Sequence, residues 1–297
     1  MEDSVDVVTI RRDPPALRRP ALIAAFKGWN DAGEAASGAA SVLRRQVGAK
    51  AFALIEPEEF FDFQATRPTV RLVEDGARRI DWPENRFSWG ELPGTSRHLV
   101  VLEGTEPNLR WRAFTRGIVG LATSLGVRLV VTLGALQVDV PHTRPVPVTG
   151  GASDPDLGAR LGLLPSRYQG PTGITGVLQQ ACAEAGLSTV SMWAGVPHYL
   201  GATRYLAGSL ALAERVAGLL DVDLALDRIA RQAAAQRDDI ARLVAEDQEL
   251  AEYVAELERR APAGDASGAE ANLPAPGVSG DELAAELERY LRDRRDG

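Results

Sequence analysis

The stretch Ala21–Val47 narrows what this chain can fold into more than any other. Ala21–Phe26 is an apolar run with the length of a buried strand. Lys27-Gly28-Trp29-Asn30-Asp31-Ala32-Gly33 then turns the chain. Beyond it Ala35, Ala36, Ala39, Ala40, Leu43 and Val47 recur at the spacing of one helical face. Asn30 or Asp31 can cap that helix by accepting a bond from its first free N–H groups. A strand, a glycine-bearing turn and a helix start form the unit from which α/β sheets are wound, and ligands often sit at such turns.

The same rhythm returns along the chain. Val5–Ile10 is an expected edge strand, and Ala51–Glu56 is a second apolar run ended by Pro57. Phe60, Phe61 and Phe63 form an aromatic cluster expected in the core. Thr69–Val73 and Arg78–Trp82 flank an Asp-Gly turn signal, and with Arg86–Glu91 they predict a small antiparallel insertion. His98–Glu103, Arg128–Leu136 and Ser188–Ala194 read as strands, the second nearly free of polar residues and so buried on both faces. Helices are expected over Leu109–Leu125, Thr172–Gly186 and Arg204–Leu220, with Thr172 as the cap of the second. Residues 137–172 hold proline and glycine with no long periodic stretch, which predicts a long connection.

From Asp223 to Arg260 there is neither glycine nor proline. Leu226, Ile229, Ala233, Ile240, Leu243, Leu250, Val254 and Leu257 keep near-heptad spacing, with polar Gln236 and Asp247 at two apolar positions. One amphipathic helix is expected here, or two broken near Asp247. The organisation that follows is an α/β core over 1–220, a helical appendage over 221–260, a disordered linker over 261–280 and a C-terminal helix over 281–297. The fold class is α/β, with a mostly parallel sheet flanked by helices. In such a sheet the loops at Gly28–Gly33, Glu103–Pro107, Gln137–Arg144 and Gly195–Tyr199 gather along one edge, where a ligand site belongs.

Composition removes several function classes. The net charge of −8 argues against nucleic acid as a partner, because phosphate neutralisation needs a basic face. No apolar run reaches the length of a membrane span, and Met1–Asp13 lacks the pattern of a signal peptide, so cytoplasm is the expected location. The single cysteine, Cys182, allows no intramolecular disulfide, and its place on a helical apolar stripe marks it as a core thiol.

Tests for chemistry give little. Gly28 and Gly33 are spaced as in a phosphate loop, but Glu34 and Ala35 replace the lysine and hydroxyl residue that hold phosphate and magnesium. Asn30 stands where a dinucleotide loop needs its second glycine. His142 and His198 each follow a proline, at Pro141 and Pro197, on loops expected to share an edge. With Asp31, Glu103 or Asp139 they can form an acid–base pair, but no histidine spacing supports a metal, and no cofactor is expected. Ser37, Ser41 and Ser166 lack a nucleophile motif. Gly170-Pro171-Thr172-Gly173 offers a rigid helix entry or an anion contact.

The ordered series Gly28-Trp29-Asn30-Asp31-Ala32-Gly33, Leu133-Gly134-Ala135, Pro141-His142-Thr143-Arg144, Gly170-Pro171-Thr172-Gly173 and Trp193-Ala194-Gly195-Val196-Pro197-His198-Tyr199 resembles the proteasome assembly chaperone 2 family, in its uncharacterised bacterial branch. The resemblance spans roughly residues 18–260. It implies a core similar to nucleoside phosphorylases, a helical C-terminal appendage and homo-oligomers, with a trimer expected. It also implies proteasome subunits or another protein complex as partners, without catalysis. Ring-docking members of the family end in a hydrophobic residue, a tyrosine and one final residue. This chain closes on Arg294-Arg295-Asp296-Gly297, with Tyr290 further inside.

Two readings therefore stand. One is a non-catalytic oligomeric assembly or interaction factor. The other is a small-molecule hydrolase or phosphorylase-like enzyme using Asp31, Glu103, His142, Arg144 and His198. Its discriminator is whether those side chains meet in one pocket. The motif residues Gly28, Trp29, Asn30, Gly33, Pro141, Gly170, Thr172, Gly173, Trp193, Pro197 and Tyr199 are the further binding candidates.

Overall fold

Side chains of the first long strand alternate between two cores, and this explains its unbroken apolar run. In the computed structural model, which describes residues 7–73, 76–163 and 169–260, Ile23 and Ala25 enter one apolar cluster. Leu22, Ala24 and Phe26 enter another on the opposite face. The elements in chain order are β1 (Val8–Ile10), β2 (Ala21–Lys27), α1 (Ala35–Gln46), β3 (Lys50–Ile55), β4 (Thr69–Leu72), β5 (Arg78–Asp81), β6 (Asn85–Glu91), β7 (His98–Thr105), α2 (Trp111–Ser124) and β8 (Leu129–Val138). There follow β9 (Val148–Ala152), α3 (Pro155–Arg160), α4 (Ile174–Glu184), β10 (Ser188–Pro197), α5 (Leu206–Leu220), α6 (Asp227–Glu246) and α7 (Gln248–Arg260).

Eight strands form one sheet in the order β1-β3-β6-β7-β2-β8-β10-β9, and β4 and β5 form a separate hairpin. The centre β7-β2-β8-β10 is parallel throughout. Antiparallel pairs extend it on both sides, β6, β3 and β1 beyond β7 and β9 beyond β10. The fold is thus α/β with a parallel heart. Helices α1 and α5 cover one face, and α2 and α4 the other.

Two expectations are corrected. Arg86–Glu91 does not stay with the small insertion, because β6 pairs with β7 in the main sheet. The stretch 137–172 is not free of regular structure, since it supplies β9 and α3. Gly150 and Gly151 in β9 dilute the alternation by which a strand is read.

The Asp223–Arg260 pattern forms two helices that break at Asp247, whose backbone is extended. Its Oδ1 accepts the Leu250 N–H at 3.1 Å and so caps α7. The other polar exception, Gln236, binds the entry of α5: its Oε1 accepts the Leu206 N–H at 2.9 Å and its Nε2 donates to the Arg204 carbonyl. Ile229, Ile240, Val244 and Val254 of α6 and α7 bury into the cluster formed by α1, α5 and the sheet. Small residues let α1 and α5 pack closely, and a Cβ at Gly38 would overlap Ser209 Oγ. The expected linker over 261–280, the helix over 281–297, Glu74 and Asp75 of the hairpin turn, and Ser166 lie outside the described residues.

Candidate functional site

Parallel β7, β2, β8 and β10 end on the same sheet edge, and the loops that follow them meet there. After β2, Gly28 and Gly33 take positive φ, which lets the chain reverse into α1. Asp31 then caps α1: its Oδ1 accepts the N–H groups of Ala36 at 2.9 Å and Ser37 at 3.1 Å. Its Oδ2 is buried without a hydrogen-bond partner. Burial raises the Asp31 pKa, and the hydrogen bonds from Ser37 and Ala36 oppose that rise.

Asn30 plays a different part. Its carbonyl accepts the Ala135 N–H at 2.8 Å, joining the loop to β8. Its side-chain amide, 2% exposed, donates to Glu106 Oε1 at 3.3 Å. The same Glu106 oxygen accepts the Ile174 N–H at 2.8 Å, at the start of α4. A Cβ at Gly173 would overlap the Asn30 amide, so the close approach of these two loops requires glycine there. Thr172 does not cap α4 as expected. It is exposed, and Glu106 from the loop after β7 binds the first turn instead. Trp29 is 64% exposed above this junction.

The two Pro-His loops also meet. Tyr199 OH accepts the His142 N–H at 2.7 Å and lies 2.8 Å from His142 Nδ1. The other ring nitrogen, Nε2, is buried and unpartnered. Burial lowers the His142 pKa, with Glu258 opposing. His198 Nδ1 lies 3.0 Å from Asp139 Oδ1. Helix α7 lies over both loops: Tyr253 contacts the His198 and Tyr199 rings edge-on and donates to Asp139 at 3.4 Å, and Glu258 accepts from Thr143.

Glu103 is elsewhere. It pairs with Arg44 at 2.6 Å, and burial raises its pKa against the pull of Arg44. Together with Lys27, Ser37, Ser41, Trp82, Arg86 and Arg204 it lines a cavity of about 510 Å³ beside α1. None of Asp31, His142, Arg144 or His198 lines that cavity. Arg144 is exposed, closing a turn onto the Pro141 carbonyl. Trp193 is half-buried, with its ring over Gly134, and Pro141 and Pro197 are buried. Gly170 is exposed. Among the described residues no cluster of three or more His, Cys, Asp or Glu side chains is arranged to hold a metal. No helix among them is long and apolar enough to cross a membrane. Cys182 is buried, and desolvation pushes its pKa up to about 12, so the thiol stays protonated and inert.

Sequence reasoning missed Glu106 and Tyr253. An acid in a polar loop and a tyrosine on an amphipathic helix carry no local pattern that names their distant partners.

The family model described as the PAC2 family matches residues 25–244. A PAC2 family protein from Streptomyces avermitilis is 47% identical over 79% of this chain and 99% of its own, with a TM-score of 0.73. A proteasome-assembly chaperone homologue from Mycobacterium tuberculosis is 44% identical over 79% of this chain and 99% of its own, at a TM-score of 0.72. An archaeal proteasome activator from Pyrococcus furiosus is 17% identical over 80% of this chain and 99% of its own. Its TM-score of 0.64 is a likeness of fold alone. Among curated proteins there is no match.

Proposed function

This chain belongs to the PAC2 family, and from that premise we propose that it is a non-catalytic assembly factor. It works in the cytoplasm as a homo-oligomer, a trimer, with proteasome subunits among its partners. Residues 1–220 are the core that carries the loop edge, and 221–260 are the appendage that braces it. Nucleic acid and membranes are not its partners, and it needs no cofactor.

The observation that carries this reading is how the titratable loop residues are used. Asp31 caps a helix, His142 is locked to Tyr199, and His198 is held by Asp139 under α7. Each is engaged in holding loops together, and Glu103 lines a cavity to which the others do not contribute. Such bracing produces a stiff edge with Trp29 projecting from it, the kind of surface that recognises protein. Likeness to the M. tuberculosis proteasome-assembly chaperone homologue supports the partner class.

The test is capture of the full chain from its own cells under mild crosslinking, in wild-type and Trp29→Ala forms. The expected result is proteasome subunits bound to wild type and depleted with the variant. Recovery of no proteasome or other assembly subunits by wild type overturns the reading. Sedimentation equilibrium across a concentration series checks the trimer.

A further inference from the structure

A cleft of about 470 Å³ opens between α1, the entry of α5 and the first turns of α6, and shares Arg204 with the Glu103 cavity. Val42, Leu206 and Ile229 give it an apolar lining, and Arg45, Arg204 and Arg228 stand around it from three different elements. No acidic side chain lines it. Among the described residues none of these three arginines forms an ion pair, in a chain whose net charge is −8. Arg45 donates to Ser41 Oγ at 2.7 Å. Its pKa is lowered by burial and by repulsion from Arg44, Arg204 and Arg228, against the pull of Glu103. Asp227 belongs to the first turn of α6 but does not line the cleft.

The walls are preset. Gln46 at the end of α1 clasps the Ala225 backbone, accepting its N–H at 3.1 Å and donating to its carbonyl at 2.8 Å. Gln236 clasps Leu206 and Arg204 in the same two-bonded way. Backbone at Ala225, just before Arg228, and at Arg204 and Leu206 is therefore held before any ligand arrives, which lowers the ordering cost of binding. Arg204 lies alongside α1, its Nη2 in van der Waals range of the Gly38 position.

We propose that this cleft binds a phosphorylated small molecule, its phosphoryl group among Arg45, Arg204 and Arg228 and its apolar part against Val42, Leu206 and Ile229. Three guanidinium forks supply more donors than the two oxygens of one carboxylate can accept, whereas a phosphate monoester offers three oxygens. The volume lies in the range of small-molecule sites. This inference is independent of the assembly role.

Phenyl phosphate, inorganic phosphate and benzoate are the probes, titrated calorimetrically into the full chain at physiological ionic strength. Phenyl phosphate is expected to bind saturably and about tenfold tighter than either of the others, a preference near 1.4 kcal/mol. Arg204→Gln with Arg228→Gln should weaken it at least about tenfold at an unchanged melting temperature. Lys27→Gln with Arg86→Gln, in the neighbouring cavity, should leave it unaltered. If Arg204→Gln disturbs packing along α1, exposed Arg228→Gln alone carries the comparison. Absence of saturable phosphate binding, equal binding of benzoate, or binding indifferent to the arginine variants overturns the proposal.

Discussion

Glu106 lies 2.8 Å from the Ile174 backbone nitrogen and caps α4 from the loop after β7. The same oxygen holds the buried Asn30 amide, so one carboxylate joins three loops. Glu106→Ala should cost about 1–3 kcal/mol, because a buried amide and a helix N–H both lose their acceptor. Glu106→Gln keeps an oxygen at that place and should cost less. Urea denaturation of the two variants makes the comparison, and equal losses would show that the shared acceptor is not the cause.

Asp31 separates capping from charge. Asp31→Ala should cost about 1 kcal/mol, the ordinary loss of an N-cap. Asp31→Asn retains the accepting oxygen and removes a charge that burial disfavours, so its loss should be smaller. The folded pKa is raised, so this group's stabilisation is complete below the usual carboxylate range and is lost as pH rises through the folded value. The stability of Asp31→Asn relative to wild type should accordingly improve from acidic to neutral pH. Chemical melts across that range check the sign.

His142 has the opposite dependence. Its folded pKa is lowered, so the unfolded chain binds the proton more readily and stability falls as pH drops below about 6.5. His142→Phe should flatten the change in urea midpoint between neutral and mildly acidic pH. A slope equal to that of wild type would assign the dependence to other groups.

The α1–α5 contact predicts a coupled pair. Gly38→Ala should destabilise by about 1–3 kcal/mol through overlap with Ser209 Oγ. Ser209→Ala removes a buried hydroxyl that has no partner, and should be close to neutral. Combined, the two should cost less than their sum, since the clashing atom is gone. Strict additivity in a double-mutant cycle would argue that α1 and α5 do not meet there.

Deleting residues 261–297 should leave a cooperative melt, because Val254 and Leu257, the last buried apolar side chains of α7, are retained. Leu257→Ala, by contrast, should cost about 2–5 kcal/mol. Calorimetry of both proteins tests this, and loss of the transition in the truncated chain would refute it.

Much of the fold was legible because burial leaves periodic marks. The runs at β2 and β8 are continuous because both faces of each strand are covered. Gln236 and Asp247 broke the heptad pattern where one clasps the α5 entry and the other caps α7. Strand β6 was harder to place, since an alternating run at a sheet's antiparallel flank looks the same as one in a detached hairpin. At the loop edge, glycine, proline and histidine marked loops that touch one another. Their bonding was hidden, because Glu106 meets Asn30 and Ile174 only after the chain has folded.

The sheet's two borders limit how any partner can attach. One is the three-residue strand β1, and the other is β9, where Gly150 adopts φ 153° opposite Met192. Among the described residues neither presents a long, regular row of free backbone groups, so a visiting chain has little ladder to extend there. For the proposed assembly role, recognition then falls to side chains on helices, loops and the hairpin, and its specificity to surface chemistry rather than strand exchange.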